Sequence, residues 1–227
     1  MIRELYFRDN LDIMLVWAKE FESYRKKYVR RFFIFFIIFS FLAMIIEFSI
    51  IFWFFFFSQK YQYDREAKMI FFNNVKFMRS PYHSARFIRF DSNEKDFYSF
   101  CSSIWEFDEY YQQKMELFID DVPIVVAEIE LKKIWRDYKG RRKENIIFNG
   151  TIIKIYESKS INFNNIQSKK LPLKGYSTRI SSEGNRKVMY IITDDRLLFF
   201  DLIKNPTREY VRENVGNFLD LLVSIIY

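Results

Sequence analysis

RRFFIFFIIFSFLAMIIEFSIIFWFFFFSQKY, residues 30–61, is nearly continuous hydrocarbon and aromatic surface, with Glu47 as its one carboxylate. From Phe32 to Phe57 the run is 26 residues; as a helix it extends roughly 39 Å, against a bilayer hydrocarbon core of about 30 Å. One tilted span fits. Two passes leave about 13 residues each, roughly 20 Å, with no Gly, Pro or Asn for the turn, so a hairpin must stop short of the far leaflet. A soluble core helix needs a polar face, and Phe, Ile, Leu, Met and Trp occupy every side of this one. Glu47 costs about 3 kcal/mol on insertion scales while each Ile, Leu or Phe returns roughly 0.3–0.6, so the sum still favours insertion. Glu47 is therefore read as an intramembrane polar residue: a protonated or snorkelling carboxylate, or a helix contact. The run is too long for a signal h-region and is followed by no small-x-small cleavage site, so it is expected to remain as an anchor.

Charge sets the expected orientation. Arg25, Lys26, Lys27, Arg30 and Arg31 crowd the near side of the run, whereas Lys60, Arg65 and Lys68 are sparser beyond it. The positive-inside rule then favours a cytoplasmic N-terminal side, and a single crossing puts the larger remainder on the other face. The same five cations suit a membrane surface with anionic headgroups. The net charge of +7 is modest once they are set aside, and does not call for a nucleic-acid surface.

These boundaries divide the chain into an amphipathic helix and basic segment (residues 1–31), a transmembrane segment (32–57) and an α+β soluble domain (58–227). The last is long enough for its own core. In ELYFRDNLDIMLVWAKEFESYRKKYVRR, Leu11, Leu15, Ala18 and Phe21 share a helical face. YDREAKMIFFNNVKFM predicts a helix as far as the Ser80-Pro81 break, and SARFIRF a strand. QKMELFI, VPIVVAEIELKKIWRDY and NIIFNGTIIKIYES carry the main strand signal, with KGRRKE as a turn. Alternation puts Val126, Glu128, Glu130 and Lys132 on one face, expected wet, and Val125, Ala127, Ile129 and Leu131 on the other. KVMYIITDDRLLFFDL predicts a hairpin turning at Asp194-Asp195. Beyond Pro206, Val211, Val215, Phe218, Leu222 and Ile226 line one face of a closing helix expected to pack on the sheet. The fold class is α+β: an N-terminal helix and membrane span, then a mostly antiparallel sheet with packed helices.

MELFIDDVPIVVAEIEL, a basic loop and IIFNGTIIKIYESKSINFN together resemble a bacterial membrane-anchored family catalogued as domain of unknown function 3137. VMYIITDDRLLFF and the closing helix fit the same pattern, over about two-thirds of the chain. The matching positions are Glu128, in a glutamate-containing strand, and Phe148 with Gly150, in a Phe-x-Gly strand. The resemblance implies an α+β domain behind N-terminal membrane segments in the bacterial inner membrane. Family members carry two closely spaced segments with both ends in the cytoplasm, whereas the run here fits one. The family has no established activity and supplies no catalytic residues.

The residues name no reaction. The sequence holds no Gly-rich phosphate loop, nucleophile elbow, zincin pattern or Cys pair. Cys101, the single cysteine, lies in the apolar helical stretch DFYSFCSSIW and reads as a buried structural thiol. His83 is the one histidine and reads as a turn residue; no cofactor and no metal site are expected. Glu128 and Glu130 are the best paired acids, with Lys132 beside them making a solvated charged ladder the simpler account. Asn149-Gly150-Thr151 sits in a strand, where Gly150 can accommodate a bulge. The expected function is a binding or scaffolding domain held at the membrane surface, its protein partner unspecified. The alternatives are a carboxylate-dependent hydrolase and a subunit assembled through the span at Glu47.

Overall fold

The computed structural model describes residues 6–8, 19, 23, 26–27, 30–31, 33–34, 37, 65–73, 77–79, 83–91, 96–200 and 207–227. Its centre is an antiparallel eight-stranded sheet in the order β1-β2-β3-β4-β5-β6-β8-β7. Six strands form its body: β3 (Ser84–Asp91), β4 (Glu109–Ile119), β5 (Val122–Arg136), β6 (Arg142–Tyr156), β7 (Ser177–Glu183) and β8 (Arg186–Thr193). Two three-residue strands, β1 (Tyr6–Arg8) and β2 (Phe77–Arg79), extend one edge. Helices described over continuous ranges are the 65–73 segment, α1 (Tyr98–Ser102), α2 (Phe163–Ser168) and α3 (Arg208–Ile226); the described residues between 19 and 37 are also helical.

The strong alternation of β4 to β6 forms the centre, where β-branched residues suit a pleated surface buried on both sides. β4 and β5 pair from Glu109↔Lys132 to Ile119↔Val122. One face carries Met115, Leu117, Ile119, Val122, Ile124, Val126, Ile153, Ile155, Met189 and Ile191, closed by Val211, Val215, Phe218, Leu219, Leu222, Ile225 and Ile226 of α3 and by Phe71 and Phe72. The apolar stripe of α3 therefore packs as its periodicity predicts, and Thr207 caps the helix by accepting a hydrogen bond from the Tyr210 N–H. The opposite face carries Ala127, Ile129, Leu131, Ile152, Val188, Tyr190 and Ile192 under Phe97 and Cys101. Cys101 is fully buried, and that burial pushes its thiol up to about 12.

Several expectations change. Tyr6–Arg8 is strand, pairing with Phe77–Arg79, although the surrounding sequence has helical periodicity; the helix expected through Met78 ends by Asn73 among the described residues. Asp194-Asp195 turns no hairpin: β8 pairs with β7, the turn being Glu183-Gly184-Asn185, with Gly184 at φ +59°. The Val126 face is not uniformly wet, since Val126 is fully buried and Glu128 is 6% exposed. The bulge falls at Ile147, between Leu131↔Phe148 and Lys132↔Ile146. Gly150 serves another purpose, because a Cβ there would lie 2.2 Å from the Thr193 carbonyl oxygen. Among the described residues no helix is long and apolar enough to cross a membrane. Glu47 and all of 32–57 except Phe33, Ile34 and Ile37 lie outside the described residues.

Candidate functional site

The register places Glu128 opposite Thr151, and Thr151 opposite Thr193. These three side chains form a buried polar row across β5, β6 and β8. Buried polar groups are costly unless satisfied, and the segment that follows β8 satisfies all three. Glu128 accepts a hydrogen bond from the Leu198 N–H at 2.7 Å and an ion pair from Arg196 at 3.3 Å. Thr151 Oγ1 donates to the Asp195 carbonyl at 2.6 Å and accepts from the Leu197 N–H at 3.1 Å. Thr193 Oγ1 donates to the Lys174 carbonyl at 2.7 Å, and Lys174 returns its N–H to Asp195 Oδ2 at 2.8 Å. Residues 194–200 thus run as a strap across the sheet, with Leu198 and Phe200 turned into the core. The Leu198 carbonyl accepts from Lys68 Nζ at 3.1 Å, so the 65–73 helix is tied to the same residue.

Beside the strap lies a concavity of about 350 Å³, lined by Tyr111, Gln113, Glu128, Glu130, Lys132, Asn149 and Arg196 among others. Its charges are matched within the chain. Lys132 Nζ lies 3.3 Å from Glu130 and 3.5 Å from Glu144. Desolvation pulls the Lys132 ammonium down, but those carboxylates outweigh it and hold its pKa above the ordinary value. The ladder reading therefore describes Glu130 and Lys132; Glu128 is buried and holds the strap.

A second polar cluster closes the opposite end of β4 and β5. Asp120, at φ +53° in the turn, accepts from His83 Nδ1 at 2.9 Å, the Ser84 N–H at 2.9 Å and Tyr227 Oη at 3.1 Å. Burial raises its carboxyl, and these hydrogen bonds, led by that of His83, more than offset the effect and hold it below the usual carboxylate range. The His83 and Tyr227 rings stack at 5.0 Å, so the turn histidine fastens the end of α3 to the sheet.

The third feature is the β5–β6 arm. β4 begins opposite Lys132, so the pairs from Lys133↔Asn145 to Arg136↔Arg142 project beyond β4. Its turn is built by Asp137, whose Oδ1 accepts from the Lys139 and Arg141 N–H groups, both at 2.9 Å. Gly140 supplies the left-handed φ of +72° that this turn needs.

Of the sequence candidates, Lys26, Lys27, Arg30 and Arg31 are helical and exposed; Arg25 and Glu47 lie outside the described residues. Glu128 and Glu130 meet at one concavity, while Phe148 packs on the other face, its ring stacked 4.8 Å from Trp105. The strap contacts gave no sequence signal, because Glu128 and Leu198 are 70 positions apart. Among the described residues no group of three or more His, Cys, Asp or Glu side chains could hold a metal ion. Comparison with protein-family models, curated proteins and solved structures gives no match.

Proposed function

We propose that this chain is a membrane-held binding or scaffolding protein, anchored by residues 32–57 and presenting its sheet at the cytoplasmic surface of a bacterial inner membrane. The observation that carries this reading is the pairing of β1 with β2. The two strands flank the hydrophobic run in sequence and neighbour one another in one sheet, so both ends of the run are drawn to the same side of the bilayer. This favours a run that returns to its own face over a single full crossing. The exposed cations Lys26, Lys27, Arg30 and Arg31 support the cytoplasmic face as that shared side, by the positive-inside rule. Phe33, Ile34 and Ile37 are helical and each about half exposed, as lipid-facing side chains would be in the absence of lipid. The shared side is also what the resemblance to domain of unknown function 3137 implies.

Paired reporter fusions test the topology, one reporter active only in the cytoplasm and one only outside it, placed ahead of Tyr6 and after Tyr227. Cytoplasmic signals from both positions are expected. Signals from opposite sides would overturn the shared-side reading.

The meeting of Glu128 and Glu130 at one concavity favours a second reading, a carboxylate-dependent hydrolase. Both Glu128 oxygens already accept hydrogen bonds from the strap, which fits a structural role better than proton transfer. Hydrolysis of any ester or glycoside that Glu130→Gln abolishes, with the fold intact, would displace the binding reading. Assembly through the span predicts that Glu47→Leu shrinks the membrane complex.

A further inference from the structure

We infer that the β5–β6 arm is a second membrane contact, docking its tip on anionic phospholipid headgroups. The inference rests on the membrane-held reading above and adds a surface that the N-terminal cations do not include. The arm exposes aromatic and basic side chains together: Tyr138 is 91% and Trp135 48% exposed. Lys143 stands directly opposite Trp135, and Lys139 Nζ lies 5.5 Å from the centre of the Tyr138 ring. The six cations from Lys133 to Lys143 divide into two sets. Lys133, Arg141 and Arg142 are neutralised by Glu106, Asp137 and Glu109 at 2.6, 3.2 and 2.5 Å. Arg136, Lys139 and Lys143 have no carboxylate partner among the described residues, leaving three open charges around two exposed aromatic rings.

That combination matches the membrane interface, where Trp and Tyr settle at headgroup level and Lys and Arg meet anionic phosphates. An acidic protein or a nucleic acid would also meet the cations. The strand directions favour lipid. β4 and β5 pair with Glu109 at the arm end and Ile119 at the other, and β3 runs from opposite Ile119 towards that arm end. β2 is antiparallel to β3 and β1 to β2, so β1 runs towards the arm end and β2 comes back from it. Arg8, Phe77 and Arg86 lie level with Phe118, near the Asp120 turn, and from that level the segment containing the hydrophobic run leaves β1 heading in the direction in which the arm projects and enters β2 from that direction.

The test uses the full chain in nanodiscs of phosphatidylcholine, with or without phosphatidylglycerol, and hydroxyl-radical footprinting of Tyr138 and Trp135. Phe199, 72% exposed and outside the arm, is the internal control. Three contacts of the strength of a basic side chain near an anionic surface amount to roughly a hundredfold in the docked population. Oxidation of both aromatics is expected to fall several-fold only in phosphatidylglycerol discs, and the triple variant R136E/K139E/K143E should restore it while Phe199 stays constant. Equal oxidation in both disc types, with the chain inserted, would overturn the arm contact and leave the anchor reading standing. A chain that never enters the discs would bring down both. Protection by added single-stranded RNA or by a polyglutamate peptide, but not by phosphatidylglycerol, would also overturn the lipid assignment.

Discussion

One face of the sheet changes character half-way along β5. At Val122, Ile124 and Val126 it is an apolar floor beneath α3; two residues on, Glu128 begins a polar floor crossed by the strap. The register is continuous through the change, from Ile124↔Ile155 and Val126↔Ile153 to Glu128↔Thr151, so the backbone does not distinguish the halves. What covers them does. Apolar side chains of α3 fill volume over the first half, and backbone N–H and C=O groups of residues 195–198 meet buried oxygens over the second. The first half is held by packing, which is tolerant of direction and sensitive to volume. The second is held by hydrogen bonds, which are tolerant of small volume changes and sensitive to an unmatched donor.

Removing volume from the first half is the strongest way to break this comparison. Phe218 is 4% exposed within the α3 face, and Phe218→Ala should cost about 3–5 kcal/mol of stability. For a domain of this size that corresponds to a Tm lower by roughly 10 °C. Thermal unfolding of the full chain in detergent checks it. A loss below about 1 kcal/mol would mean that α3 is not clamped to the sheet as drawn.

In the second half the informative result is a difference between two variants. Glu128→Ala strands the Leu198 N–H, a buried donor, at a cost of about 1–3 kcal/mol. Glu128→Gln keeps an acceptor for that N–H and loses only the charge facing Arg196, whose side chain is 41% exposed, so it should cost less. Denaturant titrations of both variants decide the matter. Equal losses would show that the charge, rather than the hydrogen bond to the strap, sustains this half.

The two halves also differed in how far they could be read beforehand. The floor under α3 was legible because β4, β5 and β6 alternate with period two and Val211 to Ile226 repeats with a helical period. The polar floor was half legible: the shared face of Glu128 and Glu130 follows from strand alternation, but the strap's contacts with Thr151 and Glu128 join residues 44 to 70 positions apart. Leu197 to Phe200 carries the hydrophobicity of a strand, and only the oxygens of Glu128, Thr151 and Thr193 explain why it crosses the sheet instead of joining it. β7 was missed because an exposed edge strand, Ser177–Glu183, needs almost no apolar alternation; the Gly184-Asn185 turn was its one local signal. β1 is three residues long, too short for any periodicity, and its pairing with β2 is a long-range fact.

The smallest expected effect lies at the end of the apolar half, where Asp120 receives His83, Ser84 and Tyr227. Its carboxyl is held below the ordinary 3.8. A carboxylate with a depressed native pKa contributes stability above its unfolded-state value and loses it as pH falls through the native one. Asp120→Asn removes that titration while keeping a side chain that tolerates the left-handed backbone of the turn and one acceptor oxygen. The variant should be less stable than the parent by about 1 kcal/mol at neutral pH. The gap should narrow as pH drops below the ordinary carboxylate value and the parent itself becomes protonated. Making the comparison in a His83→Gln background removes the imidazole's hydrogen bond and leaves the contribution of Ser84 and Tyr227. Denaturant midpoints for both proteins across the acid range provide the measurement. A gap that stays constant down to strongly acidic pH would assign the effect to shape instead of charge, making this end of the sheet a packing contact like the rest of the apolar half.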